Sequence, residues 1–242
     1  MKHPLTTLVA TALVALAAGC GGGSSQPGTL GVAASMGSEP TGPATSQPPS
    51  SSTETTPPPA GRPLRVTFIG DSVPDSITYV PAARARLRHG MKVRLDLKVC
   101  RRLVAPSCSF QGTTPDTALE AVHRYGRRLG DVLIVDVGYN DWSGTYRSDM
   151  RKVVQAANRA GVTGIVWVTL RQSRSVYRWT NHVIRNEAQR WPDVVVADWD
   201  AKSAGHPWFG ADGLHLNDRG AIRLAQFLRP YVFQAAGVSP AS

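Results

Sequence analysis

The chain has 242 residues, 42% of them hydrophobic, and a formal net charge of +10 at pH 7. That length allows one domain or two small ones, with enough apolar material for a core. No apolar run reaches the twenty residues of a spanning helix, which excludes a polytopic membrane protein. Three cysteines are too few for a disulfide-rich scaffold, and their spacing fits no zinc finger.

The amino terminus reads as an export signal. Lys2 and His3 give a short positive start, and Leu5 to Ala18 form an apolar stretch broken only by Thr6, Thr7 and Thr11. The ending Ala17-Ala18-Gly19-Cys20 resembles a bacterial lipobox, with Ala17 where Leu is more usual. The resemblance implies removal of residues 1–19 and acylation of Cys20. The protein is then expected at the cell membrane, lipid-anchored on its extracytoplasmic face. An ordinary secretory signal with an incidental cysteine is the alternative. Residues 21–60 hold 8 Pro, 7 Gly, 8 Ser and 6 Thr, so 29 of 40 positions are small, polar or helix-breaking. Such a segment cannot bury enough apolar surface to offset its ordering entropy. Residues 20–61 therefore read as a tether, spanning roughly 35 Å as a flexible chain.

Export changes how Cys100 and Cys108 read. In an oxidising compartment they are expected to pair, closing a short loop worth roughly 2.5 kcal/mol. Two buried thiols are the alternative.

From residue 62 to 238 strands and helices alternate. Leu64–Ile69 is a β-rich run, followed by a helical stretch from Pro74 to about His89. Val93–Val99 alternates as a strand, and Thr114–Leu129 predicts a helix with Pro115 and Asp116 in its first turn. Val132–Val137 is nearly all apolar, as in a strand covered on both faces. A helix over Tyr146–Ala160, a strand over Gly164–Leu170 and a helix near Tyr177–Arg190 follow. Val194–Ala197 makes a fifth strand, and Arg219–Ala235 a last helix with Asn217 or Asp218 as N-cap. Five β–α units predict an α/β fold, a three-layer α/β/α sandwich around a five-stranded parallel sheet. Sites in such sheets form at the carboxyl ends of the strands.

Three of those loops carry a pattern: Gly70-Asp71-Ser72-Val73 after the first strand, Gly138-Tyr139-Asn140-Asp141 after the third, and Asp212-Gly213-Leu214-His215 before the last helix. In that order they resemble the SGNH hydrolases, also called the GDSL esterase/lipase family. The resemblance covers nearly all of residues 62–236 and is strongest to envelope domains, including those fused to membrane O-acyltransferases. It implies a flavodoxin-like SGNH fold, Ser72 as nucleophile, His215 as base, Asp212 as the support of the imidazole, and Asn140 as an oxyanion donor.

The residue types suit that chemistry. A serine is a weak nucleophile until a base takes its proton, and a carboxylate can hold the imidazole tautomer. The Ser72 N–H and the Asn140 amide supply two oxyanion donors. The family's third is a backbone N–H after strand two, where this chain has Cys100-Arg101-Arg102-Leu103 and no glycine before Gly112. Either Arg101 supplies it or Gly112 folds back under a Cys100–Cys108 staple; the reading leans to Gly112. Trp142, Arg101 and His206 are candidate substrate contacts, although Trp142 and Trp208 could only pack the loops. His89, His123 and His182 read as structural.

Residues 61–242 hold 26 Lys+Arg against 15 Asp+Glu. That balance suits anionic lipids and acidic envelope polymers. No nucleic-acid motif is present, and no His/Asp/Glu set has metal-ligand spacing. The expectation is therefore a cofactor-free, metal-free, monomeric esterase that cleaves short acyl esters, acetyl first, of an envelope saccharide. An O-acyltransferase of envelope glycans and an inactive binding lipoprotein of the same fold are the alternatives.

Overall fold

The computed structural model describes residues 62–239. The signal, Cys20 and all of the tether lie outside the described residues. Five parallel strands, β1 (Leu64–Gly70), β2 (Met91–Leu97), β3 (Val132–Asp136), β4 (Gly164–Val168) and β5 (Val194–Ala197), form one sheet in the order β2-β1-β3-β4-β5. Helices α1 (Ser76–Tyr79), α2 (Pro81–Arg88) and α7 (Asp218–Ala235) bury Val66, Phe68, Ile134 and Val166 on one face. On the other, α3 (Ala118–Tyr125), α4 (Tyr146–Arg159) and α5 (Ser175–Ala188) cover Ile69, Leu133, Val135 and Trp167. A short α6 (Trp199–Ser203), capped by the Asp198 carboxylate, follows β5; its signal in the sequence is too short to read. The direction of winding reverses between β1 and β3, so the loops after these two strands flank the crevice where α/β sheets place their sites.

Some boundaries differ from the sequence reading. The Pro74–His89 stretch is two helices, because Pro81 holds Val80 extended (φ −101°, ψ 100°) and then begins α2 at its first position. Strand two lies two residues earlier than expected. The third helix starts only at Ala118, where Thr117 and Glu120 form a reciprocal capping box. Pro115 and Asp116 stay in the loop before it.

Asp116 is held there by an ion network. The Arg101 side chain is fully buried and donates to Asp96 Oδ1 at 3.0 Å, Asp116 Oδ1 at 2.6 Å and the Asp116 carbonyl at 3.0 Å. It also donates to the Asp96 carbonyl and, at 3.5 Å, to the Gly70 carbonyl at the end of β1. Arg124 and Lys98 close the network from outside. Burial pushes the Asp116 carboxyl up, but hydrogen bonds from Lys98, Arg124 and Arg101 outweigh it and leave it below the usual carboxylate range. The Cys100–Cys108 disulfide lies beside this network.

A buried guanidinium shared by two carboxylates is costly to remove. Arg101→Met is expected to lose about 3–5 kcal/mol of unfolding free energy in urea titrations. A loss below about 1 kcal/mol, the worth of an exposed pair, would mean that Lys98 and Arg124 hold both carboxylates unaided.

Candidate active site

The turn after β1 begins at Asp71, whose side chain is completely buried. Asp71 Oδ1 accepts from the Val73 N–H at 3.0 Å, and Oδ2 from the Gly138 and Tyr139 N–H groups, both at 3.2 Å. One carboxylate thus fixes both the Ser72 turn and the loop carrying Asn140. Burial raises its pKa to about 6, and the three N–H donors limit the rise. Ser72 follows, partly exposed, on the turn that leads into α1.

Ser72 Oγ lies 3.0 Å from His215 Nε2, and His215 Nδ1 lies 2.6 Å from Asp212 Oδ2. The other Asp212 oxygen accepts from the Leu214 and His215 N–H groups at 2.9 and 3.0 Å. The His215 hydrogen bond, then that from Leu214, lowers the Asp212 pKa to about 2. An ionised Asp212 keeps the proton on Nδ1, which leaves Nε2 free to accept the serine proton. The His215 and Asp212 side chains are 47% and 51% exposed, so the relay is open to solvent.

Local bonds hold the His215 loop. Gly210 N–H donates to the His215 carbonyl at 2.8 Å, Ser76 Oγ to the Leu216 carbonyl at 3.0 Å, and Arg171 Nε to the Gly213 carbonyl at 2.7 Å. The Arg171 guanidinium also stacks 3.6 Å from the Phe209 ring centroid. Asn217 caps α7 through the Gly220 N–H. Gly220 is required by contact, since a Cβ there would stand 1.9 Å from the Trp208 carbonyl oxygen.

Asn140 Nδ2 donates to the Arg101 carbonyl at 3.3 Å, which leaves its second amide hydrogen unspent. Its neighbour Asp141 accepts from the Leu103 N–H at 2.9 Å and ties the same two loops together. Burial raises the Asp141 pKa to about 7, against the lowering by Leu103.

The expected third oxyanion donor is not found at either named position. The Arg101 N–H donates to the Lys98 carbonyl at 3.3 Å. Gly112 (φ 75°) follows Gln111 (φ 50°) at the exposed tip of a turn closed by two Phe110–Thr113 hydrogen bonds. Two successive positive φ angles account for a glycine there. Among the described residues Gly112 makes no hydrogen bond to the Ser72 or Asn140 loops. Arg101 is also corrected as a substrate contact, because its guanidinium is spent inside the network described above.

Trp142 stands out in the loop after Asn140, 67% exposed. His206 stacks on the buried Trp208 at 4.0 Å between centroids, and Trp208 on Trp199 at 5.5 Å. A cleft of about 490 Å³ is lined by Asp75, three residues after Ser72 in the chain, and by Tyr79, Lys98, Phe110, Gln111 and Thr113 among others. Tyr79 and Phe110 are exposed aromatics on it. The sequence reading missed Asp71, Asp141 and Arg171 as organising residues. For the first two the signal was present, since each adjoins a residue of the motif.

No protein-family model matches the chain. It is 27% identical over 162 residues to the O-acetyltransferase OatA of Staphylococcus aureus, covering 66% of this chain and 24% of the relative. The chain thus spans about a quarter of the length of the curated relatives it matches. Among solved structures, a putative arylesterase from Agrobacterium tumefaciens superposes with a TM-score of 0.54 at 16% identity, covering 73% of this chain and all of that one. A carbohydrate acetylesterase family member from Sinorhizobium meliloti gives 0.55 at 14%, covering 72% and 100%. These two likenesses show a shared α/β fold with a five-stranded parallel sheet.

Beneath this site Asp136 is buried, and neither carboxyl oxygen has a partner among the described residues. Burial, then the charge of Asp71, pushes its pKa well above the usual value. A carboxyl with a raised folded pKa stabilises fully below its unfolded value, near 3.9, and loses that contribution as pH rises through the folded one. Asp136→Asn has no proton to lose. Its Tm relative to wild type is therefore expected to move upward as pH is raised from 4 to 8 in thermal melts. A Tm difference that is flat with pH would show that Asp136 does not titrate this way.

Proposed function

We propose that the domain is a serine esterase that removes short acyl groups, acetyl first, from envelope saccharides through an acyl-enzyme. The observation that carries this reading is the continuous Asp212–His215–Ser72 relay at 2.6 and 3.0 Å. In the proposed path Ser72 Oγ attacks the ester carbonyl while His215 Nε2 takes the hydroxyl proton. Negative charge on the carbonyl oxygen is met by the Ser72 N–H and the free Asn140 amide hydrogen. Collapse expels the alcohol, which receives the proton from His215. Water, activated by the same imidazole, then frees the acid.

Fold likeness to esterases and an acetylesterase supports ester chemistry. The cleft that includes Tyr79 and Phe110 supports a saccharide, since exposed aromatic faces stack on sugar rings while Gln111 can bind hydroxyls. The loop after β4 is six residues long, and the longer loop after β2 is pinned by the Arg101 network and the Cys100–Cys108 bond, so neither offers a free apolar lid for a long acyl chain. Transfer of the acyl group to a second sugar hydroxyl is the other reading, favoured by the match to an O-acetyltransferase. A lipid anchor on Cys20 would place the domain at the outer face of the cell membrane, and Cys20→Ser should release it to the medium.

Ser72→Ala and His215→Ala are each expected to abolish turnover of p-nitrophenyl acetate, and Asp212→Asn to leave a measurable remainder. Asn140→Ala should lower kcat by about 10²–10³. Substantial activity in Ser72→Ala would overturn the mechanism. Acetyl esters should also exceed ten-carbon esters in kcat/KM, and the reverse order would point to a lipase.

A further inference from the structure

The basic excess of the chain is unevenly compensated. Arg62, Arg101, Arg124, Arg151 and Arg185 each meet a carboxylate. A cleft of about 530 Å³ does not follow that rule. It is bordered by Arg65, Arg88, Lys92, Arg94 and Arg128, with no acidic residue in its lining.

The sheet explains where these cations come from. β2 is an edge strand, and its Met91, Val93 and Leu95 turn to the core beneath α2 and α7. The alternate residues Lys92 and Arg94 therefore turn to the other face, and both are exposed. Register sets Arg65 beside Lys92 and Thr67 beside Arg94. Like charges in register across a strand pair are destabilising unless something lies between them. Arg88 and Lys92 make no side-chain hydrogen bond or ion pair among the described residues. Arg65 reaches Asp131 only at 3.4 Å, and Arg62 already holds that carboxylate with two bonds of 2.7 and 2.8 Å. Arg94 and Arg128 are braced on carbonyls at the end of α3 and the turn after it, at 2.6 Å each.

We propose that this cleft docks the phosphate headgroups of an anionic bilayer. The occupant follows from where the chain arrives. Residues 1–61 precede the domain, and β1 begins at Leu64, at the same end of the sheet as the cleft. Every strand runs parallel away from that end. Seven residues of β1 set the Ser72 turn roughly 23 Å further on. Headgroups held here turn the cleft toward the surface from which the tether rises and the Ser72 edge outward. The inference uses the proposed anchor for the direction of approach only and does not depend on ester chemistry.

The test uses the full-length chain carrying Cys20→Ser, so that no acyl anchor contributes. Sedimentation with phosphatidylglycerol/phosphatidylcholine vesicles should show binding that weakens with salt, and pure phosphatidylcholine vesicles should show none. Adding Arg65→Gln, Arg88→Gln and Lys92→Gln should lower the affinity roughly 100-fold, about fivefold per cation. A control with Arg159→Gln, Lys202→Gln and Arg223→Gln loses the same charge elsewhere and should stay within roughly threefold of wild type. Thermal melts establish that both triple variants are folded, and the single Lys92→Gln serves if the cleft variant is not. Equal losses in both triples would overturn the proposal, as would equal binding to neutral vesicles. Displacement from vesicles by a soluble phosphodiester polymer at equal phosphate concentration would assign the cleft to a polymer instead.

Discussion

A single buried carboxylate holds the two halves of this site in register. Asp71 sits where β1 ends, and its two oxygens accept three backbone N–H groups, one from the Ser72 turn and two from the loop after β3. Taking a carboxylate out of water is expensive, as its pKa of about 6 records. Each charge-assisted hydrogen bond returns roughly 1.5–3 kcal/mol. With three of them the group stays ionisable at neutral pH and the two loops cannot drift apart. The relative position of Ser72 and Asn140 is thus set by backbone bonds to one side chain.

The remaining supports act at the periphery of that joint. Asn140 leans on the Arg101 carbonyl, and Asp141 holds the Leu103 N–H, so the loop after β2 is coupled to the loop after β3. The ion network around Arg101 and the Cys100–Cys108 bond stiffen that loop from behind. On the other side Arg171 spans from the end of β4 to the Gly213 carbonyl, two residues before His215. Its own backbone N–H donates to Tyr139 Oη at 2.7 Å, which returns the contact to the Asn140 loop. Arg101, expected from the sequence to contact substrate, is a brace instead, and so is Arg171.

Much of this was legible because it is local. The apolar runs of β1 and β3, the N-cap of α7 at Asn217 and the three motif blocks each occupy a few consecutive residues. Ser72, Asp212 and His215 could be named from those blocks, and the structure brings them within hydrogen-bond distance. What was not legible depends on how the irregular loop after β2 folds back on itself. Arg101 looks exposed and cationic until Asp96 and Asp116 close on it. Gly112 looks like a spare N–H until the Phe110–Thr113 pair defines a turn that needs positive φ. The helix over Pro74–His89 was misread for a different reason, a proline effect on the preceding residue that the hydrophobic period concealed.

The openness of the relay bears on the choice between hydrolysis and transfer. With about half of the His215 and Asp212 side chains exposed, water reaches the imidazole that would activate it. In the proposed chemistry an acyl-enzyme on Ser72 then faces solvent on the side where deacylation begins. A sugar hydroxyl can compete only if its own ring covers that side and displaces water, because proximity, not nucleophilicity, separates two oxygen nucleophiles of similar reactivity. The cleft lined by Tyr79 and Phe110, whose lining includes Asp75 three residues after Ser72, offers room for such a ring. In the proposed chemistry hydrolysis is therefore the default of the bare site, and transfer is what a bound acceptor would impose on it.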